Sequence, residues 1–174
     1  MKSAIFIDGA YLAKLSSQDK RWDFKKLIDK LTEGTYRLRT YYYNCLPFVD
    51  HPSKPDQTEL FTRMKSFFDA LSKIPRFQVK LGRLQRIGDE FTQKGVDMKL
   101  GVDLVQLSLS GQIDKAIILA SDSDFAYAIE KARDSGVVIV LAHFSESTVN
   151  EDLLKTIDEE ILLDDLASEC TWKK

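Results

Sequence analysis

The chain has 174 residues, of which 44% are hydrophobic and 30% are charged, and its formal net charge is −2. This size and composition predict one domain over residues 1–174, with residues 145–174 as a helical extension packed on it. The small net charge argues against a uniformly basic protein that binds nucleic acid non-specifically. The charge is nevertheless uneven: residues 1–99 hold 19 Lys and Arg against 12 Asp and Glu, whereas residues 100–174 hold 6 against 15.

Composition also argues against membrane, secreted and zinc-binding proteins. The longest apolar run, Val137–Ala142, is far shorter than the roughly 20 residues that a membrane-spanning helix needs. The first apolar stretch ends at Asp8, which does not fit a signal peptide. Cys45 and Cys170 are far apart in sequence, and no Cys or His spacing is typical of a zinc site. We therefore expect a cytoplasmic protein with free thiols and no membrane association.

Strands and helices are predicted to alternate along the chain. Apolar or aromatic runs indicate strands, and apolar residues at 3.6-residue spacing indicate helices. In chain order we predict a strand at Lys2–Ile7, a short helix at Ala10–Ser16, a helix capped by Asp23, a strand at Tyr36–Leu46, a loop at Leu46–Lys54, a helix starting at Pro55, a strand at Phe77–Leu81, a strand–loop–strand excursion at Gly82–Gly95, a helix at Asp97–Leu109, a strand at Lys115–Ala120, a helix at Ser123–Ser135, a strand at Val137–His143, and short helices at Asn150–Ile157 and Leu162–Glu169. This alternation is typical of an α/β fold with a parallel sheet covered by helices on both faces.

Carboxylates follow the predicted strands. Asp8 follows the first strand, Asp122 and Asp124 follow the strand at Lys115–Ala120, and Asp97 begins the helix before that strand. Sites in open parallel sheets form beyond the carboxyl ends of the strands, where the strand order reverses, so we expect the four carboxylates to converge. Their mutual repulsion would be relieved by a hard divalent ion, Mg²⁺ or Mn²⁺, held by a few carboxylates and water. Taken singly, each also fits a turn or helix-capping role.

The four carboxylates are not predicted to act alike, and two further polar residues have open roles. Asp8 and Asp122 are expected to be direct metal ligands because they follow the strands that flank the switch point, with Asp97 and Asp124 completing the shell directly or through water. Asp103 lies about 120° around the helix from Asp97, so it supports the site from behind or faces solvent, with direct metal binding as the less favoured alternative. Ser121 either hydrogen-bonds a phosphate or caps the next helix.

Four motifs together resemble the NYN domain family, a branch of the PIN-like nuclease superfamily, and more specifically its LabA-like bacterial group. They are Ile5–Leu12 (IFIDGAYL), Lys94–Asp103 (KGVDMKLGVD), Leu119–Phe125 (LASDSDF) and Gly136–Val140 (GVVIV). The resemblance implies a Rossmann-like three-layer α/β/α sandwich with a mainly parallel sheet. It also implies a Mg²⁺- or Mn²⁺-dependent endoribonuclease that hydrolyses the phosphodiester bonds of single-stranded RNA.

The family's acidic positions fall on Asp8, Asp97, Asp122 and Asp124, which we predict to be both catalytic and metal-binding. A substrate phosphate approaching these carboxylates needs cations nearby, and we predict a basic wall before and around Asp97. Its candidate members, together with an aromatic residue beside Asp8 that would stack on a base, are Lys94, Lys99, Arg83, Arg86 and Tyr11. The alternative for the basic residues is a solvated charged edge.

Two other functions also fit the sequence. Many relatives have Asn three residues after the first Asp, where this chain has Tyr11, which leaves open a catalytically weak or inactive RNA-binding or adaptor module of the same fold. A Mg²⁺-dependent phosphatase of the haloacid-dehalogenase type also places a nucleophilic Asp after the first strand. That class normally has a second Asp two residues later, where this chain has Ala10. Homo-oligomerisation is compatible with all three.

Overall fold

A computed structural model describes residues 1–15, 20–50, 52–87 and 90–173 of the chain. The elements in chain order are β1 (Lys2–Asp8), α1 (Gly9–Leu15), β2 (Lys20–Trp22), α2 (Phe24–Leu31), β3 (Tyr36–Asn44), α3 (Pro55–Ser72), β4 (Phe77–Leu81), β5 (Arg83–Ile87), β6 (Glu90–Lys94), α4 (Val96–Leu109), β7 (Lys115–Leu119), a 3₁₀ turn (Ser123–Phe125), α5 (Ala126–Asp134), β8 (Val138–His143), α6 (Glu151–Leu154), β9 (Glu159–Leu162), α7 (Leu163–Cys170) and β10 (Thr171–Lys173).

Six strands form a parallel central sheet in the order β4-β3-β1-β7-β8-β9. After β1 the chain adds β3 and β4 on one side, and then crosses to add β7, β8 and β9 on the other. This is the doubly wound order of dinucleotide-binding folds, and the strand order reverses between β1 and β7. The predicted α/β fold is confirmed.

Each face of the sheet buries its own apolar cluster. Alternate residues of β1 point to opposite faces, so Phe6 joins the cluster that contains Leu100 of α4 and Ile129 of α5, whereas Ile5 joins the cluster that contains Leu27 of α2 and Phe68 of α3. α6 packs on the first face, and α1 and α7 on the second. The three layers hold the amino-terminal ends of α4 and α5 beside the carboxyl edge of the sheet.

Two parts of the fold were not predicted. The segment after residue 145, predicted to be helical, also contributes β9, the sixth strand of the sheet. β10 pairs antiparallel with β2, so strand pairing near the end of the described chain stabilises the segment that precedes α2. The predicted excursion is confirmed as the antiparallel hairpin β5–β6, and its proposed turn at Gly88-Asp89 lies outside the described residues.

Cys45 and Cys170 are buried free thiols, as predicted. Burial is the main cause that raises the pKa of each thiol. None of the helices in the described ranges combines the length and the apolar character that crossing a bilayer requires.

Candidate functional site

Two carboxylates lie at the edge of the sheet where the strand order reverses. Asp8 is the last residue of β1, and Asp122 comes three residues after Leu119, the last residue of β7. The two strands are hydrogen-bonded neighbours in register, with Ile7 opposite Leu119. Both acids therefore lie at the carboxyl edge of the two central strands, which is where open α/β sheets place their sites.

A third and a fourth carboxylate approach from the helices on one face. Asp97 lies in the first turn of α4, and Asp124 in the 3₁₀ turn that leads into α5. The pKa of Asp97 is raised, chiefly by partial burial and then by the negative charges of Asp122 and Asp124. A carboxylate whose ionised form is disfavoured by two like charges is electrostatically suited to a cation.

Close helix packing brings Asp97 and Asp124 towards each other. Asp97 and Gly101 share one face of α4, since they are four residues apart. A Cβ at Gly101 would lie 3.4 Å from the Cβ of Ala128, which itself comes four residues after Asp124. Gly101 and Ala128 therefore face each other where α4 and α5 pack, one helical turn below Asp97 and Asp124, with room for a methyl group at position 101.

Asp8 and Asp122 are both oriented by backbone N–H groups. The Asp8 Oδ1 accepts hydrogen bonds from the N–H groups of Ala10 (2.9 Å) and Tyr11 (3.1 Å) at the start of α1. The Asp122 Oδ1 accepts one from the N–H of Asp124 (3.0 Å). Their capping and site-forming roles are therefore compatible, because the hydrogen bonds that cap the following turn also fix the carboxylate at the edge of the sheet.

The glycine after Asp8 is required by packing. A Cβ at Gly9 would lie 2.5 Å from the Cζ of Tyr42 and 2.6 Å from the Nδ2 of Asn44. Tyr42 is buried, which raises its pKa to about 12, with the charge of Asp8 contributing in the same direction. Because Gly9 has no side chain, the backbone after Asp8 can pass close to Tyr42 and Asn44 of β3 at the base of the site.

Asp103 faces the sheet on the other side of α4. Its Oδ2 accepts a hydrogen bond from the Tyr43 hydroxyl (2.8 Å) and forms an ion pair with the Lys80 Nζ (2.6 Å). Tyr43 is fully buried, and burial together with this bond raises its pKa. Of the alternatives for Asp103, the solvent-facing one is wrong, because the carboxylate links α4 to β3 and β4.

Tyr11 lies in the core. Only 5% of it is exposed, its ring packs against Phe144, and its hydroxyl accepts a hydrogen bond from the Phe144 N–H and pairs with the Ser147 hydroxyl, both at 3.0 Å. Because both the ring and the hydroxyl are engaged inside the protein, the expectation that Tyr11 stacks on a base does not fit the structure.

The remaining predicted residues occupy different positions around the site. Lys99 is exposed, and its Nζ donates to the carbonyl of Leu81 at the end of β4. Arg83 is exposed in β5. The side chains of Arg86 and Lys94 lie outside the described part of the structure. Ser121 is half-buried between β7 and the 3₁₀ turn, and the alternative that it caps the following helical segment is wrong, because Asp122 is the capping residue.

The donor set suits a hard divalent ion, although it is not a complete cage. Among the described residues, no three His, Cys, Asp or Glu side chains are already arranged to hold a metal ion. The raised pKa of Asp97 nevertheless marks a place where carboxylate charge accumulates. Mg²⁺ usually keeps several waters and takes only one or two protein carboxylates together with substrate phosphate, so this edge of the sheet fits such an ion.

Comparison with protein families assigns the fold. The model of the NYN domain matches residues 2–164, which include all four carboxylates. The chain belongs to the NYN domain family. This membership agrees with the PIN-like nuclease fold that the sequence motifs implied, and it covers the central sheet from β1 to the start of α7.

A comparison with solved structures found one that shares the fold, and a comparison with curated proteins found no match. The crystal structure of a protein of unknown function from Vibrio parahaemolyticus matches with a TM-score of 0.64 and 16% identity, over 94% of this chain and 93% of that chain. The nicotinic acid mononucleotide adenylyltransferase of Plasmodium falciparum, complexed with APC, matches with a TM-score of 0.37 and 13% identity, over 92% of this chain and 73% of that one.

Proposed function

We propose that this NYN domain is a Mg²⁺- or Mn²⁺-dependent endoribonuclease of the LabA-like group that hydrolyses phosphodiester bonds in single-stranded RNA. The observation that carries the proposal is the placement of Asp8 and Asp122 at the carboxyl ends of β1 and β7, where the strand order reverses, with Asp97 and Asp124 in the helical turns beside them. A carboxylate cluster at this place is the feature that a PIN-like nuclease site requires.

The residues that would hold the metal are Asp8, Asp97, Asp122 and Asp124. When bound, a divalent ion supplies charge neutralisation at the phosphate and lowers the pKa of the attacking water. The backbone N–H groups that bind the Oδ1 atoms of Asp8 and Asp122 hold these carboxylates in place before substrate arrives. Asp97 completes the charge of the cluster from α4, which Asp103 anchors to the sheet.

Cations beside the cluster would orient the RNA backbone. Lys99 is two residues after Asp97, and its ammonium group is directed towards the end of β4 by the Leu81 carbonyl. Arg83 begins the next strand, so both cations lie on the β4 side of the carboxylates. Arg86 and Lys94 belong to the same hairpin in sequence, and we assign them the same role. An RNA phosphate would thus lie between this basic side and the acidic cluster.

The proposal is tested by cleavage of end-labelled single-stranded RNA and DNA with Mg²⁺, Mn²⁺ or a chelator. The wild-type chain should produce internal RNA cuts only with a divalent ion, and Asp8→Asn should reduce the rate by at least about 100-fold. Asp69→Asn is the matched control, because it removes an exposed carboxylate from α3 on the opposite face of the sheet. Absence of cleavage with every metal, or equal cleavage by Asp8→Asn, would overturn the proposal.

A second candidate is an RNA-binding module of the same fold that does not cleave. It is favoured by the buried Tyr11, which occupies the position where many relatives have Asn, and by the lack of a ready-made three-ligand group among the described side chains. The same assay separates the two candidates, because a binding module would retain RNA with Mg²⁺ present and release no fragments.

A further inference from the structure

Two large apolar side chains are exposed beside the carboxylates. Met98 directly follows Asp97 on α4, and Tyr127 lies three residues after Asp124 on α5; each is 71% exposed. Both are in the first turn of their helix, and these turns lie at the carboxyl edge of the sheet. Single exposed apolar side chains are common on protein surfaces, so it is the position of these two beside the carboxylates, rather than their exposure alone, that makes them candidates for contact with a ligand.

Tyr127 is accompanied by a cation. The Nζ of Lys131, one helical turn further along α5, lies 5.4 Å from the centre of the Tyr127 ring. The same Nζ forms ion pairs with Asp134 (3.1 Å) and Glu130 (3.7 Å), which hold it beside the ring. The ring is therefore oriented by its contact with Lys131 while most of its surface meets solvent.

We propose that Tyr127 is a base-stacking residue for single-stranded RNA bound at the carboxylate site, with Lys131 supporting its ring. This rests on the proposed function, because the phosphate at the carboxylates fixes where the neighbouring bases must lie. Single-stranded nucleic acids are held by aromatic side chains on which bases stack, together with cations that follow the backbone. Tyr127 supplies such an aromatic surface one turn from Asp124, and Lys131, whose charge is paired with Glu130 and Asp134, supports the ring.

The chain contains a matched control residue for this proposal. Tyr36 is 60% exposed, and the Arg76 guanidinium lies 5.1 Å from the centre of its ring, so its exposure and its cation resemble those of Tyr127. It pairs with Lys2 at the start of β1, whereas Asp8 ends that strand. At about 3.3 Å per residue, the two ends of β1 are about 20 Å apart. Tyr36 is therefore an exposed tyrosine with a cation at the far end of the sheet.

The test is binding of fluorescent single-stranded RNA by anisotropy to the otherwise wild-type chain, with Ca²⁺ in place of Mg²⁺ so that the RNA is bound without being cleaved. Tyr127→Ala should weaken binding about tenfold, Tyr127→Phe should bind as the parent does, and Tyr36→Ala should have no effect. On an RNA of equal length that consists of abasic residues, Tyr127→Ala should change nothing, because there is no base to stack. Circular dichroism of each variant checks that the fold is retained.

Several results would overturn the stacking role. These are unchanged RNA binding by Tyr127→Ala, an equal loss on the abasic RNA, or absence of RNA binding by the parent protein.

Exposed apolar residues continue along α4 to Val102 and Leu109, so sedimentation velocity is run in parallel. A wild-type dimer that Tyr127→Ala dissociates with RNA binding intact would make this surface a subunit interface instead. If Tyr127→Ala weakens RNA binding as expected but the wild type does not cleave RNA, only the nuclease proposal is refuted.

Discussion

Gly101 of α4 faces Ala128 of α5, and a Cβ added at Gly101 would lie 3.4 Å from the Ala128 Cβ, which is van der Waals distance. A larger side chain at position 101 would separate the helices and move Asp97 away from Asp124. We expect Gly101→Leu to reduce metal-dependent cleavage at least tenfold, and Gly101→Ala to retain it while gaining up to about 1 kcal/mol of stability from helix propensity. Cleavage rates and urea unfolding measure both effects. Equal activity of Gly101→Leu and wild type would contradict this role of the contact.

The raised pKa of Asp97 predicts a pH-dependent stability. Since its folded-state pKa lies above the unfolded value, the protonated form favours folding at low pH, and this contribution is lost as the pH rises through the folded-state pKa. Without divalent ions at neutral pH, Asp97→Asn should therefore raise the Tm, and the gain should disappear towards about pH 4. Mg²⁺ should raise the Tm of the wild type more than that of the variant.

Thermal unfolding in a chelator and in Mg²⁺, from pH 4 to 7, measures these changes. Asp69→Asn is again the control and should show neither effect. A lower Tm for Asp97→Asn at neutral pH in the chelator would contradict the electrostatic assignment.

Gly9 should not tolerate a side chain. An added methyl group would overlap the Tyr42 ring and the Asn44 amide, both of which are buried, so neither can move away without disturbing the core. Overpacking of this kind typically costs about 1–3 kcal/mol. We expect Gly9→Ala to lower the free energy of unfolding by this amount in urea titrations. Stability equal to that of the wild type would show that the side chains of β3 can shift to accommodate the added methyl group.

The Asp103 carboxylate should matter for stability through its two partners. Asp103→Leu would leave the buried Tyr43 hydroxyl without its acceptor and Lys80 without its counterion, and we expect a loss of about 2–4 kcal/mol. Tyr43→Phe, which removes only the hydroxyl, should cost about 1.5–3 kcal/mol. Urea unfolding of both single variants and the double variant gives the coupling energy. Additive losses would mean that the hydrogen bond contributes nothing.

Local sequence patterns were sufficient for the parts of the fold that depend on local chemistry. Apolar runs located β1 and β7, the capping residue Asp23 located α2, and the alternation of elements gave the parallel sheet. The spacing of Asp97 and Asp103 also indicated that they point in different directions from α4. These features depend on residues within one or two helical turns of each other.

Features that depend on distant partners were not predictable in this way. β2 and β10 pair although about 150 residues separate them. β9 is a four-residue edge strand, Glu159–Leu162, which is too short and too exposed to show the alternation of apolar and polar residues that indicates a strand. The burial of Tyr11 depends on Phe144 and Ser147, which lie far along the chain. The i,i+4 spacing of Tyr127 and Lys131 can be read from the sequence. Only the structure shows that the Tyr127 ring is exposed and is therefore not a core-packing residue.

The most direct test of the account is the rate of single-stranded RNA cleavage by wild type and Asp122→Asn at saturating Mn²⁺. Asp122 contributes to the raised pKa of Asp97 and is fixed by the Asp124 N–H, so its neutral isostere changes the charge of the cluster and little else. The account predicts metal-dependent cleavage by the wild type, abolished by the chelator, and a loss of at least about 100-fold in Asp122→Asn. Cleavage that persists in the chelator, or at the same rate in Asp122→Asn, would contradict it.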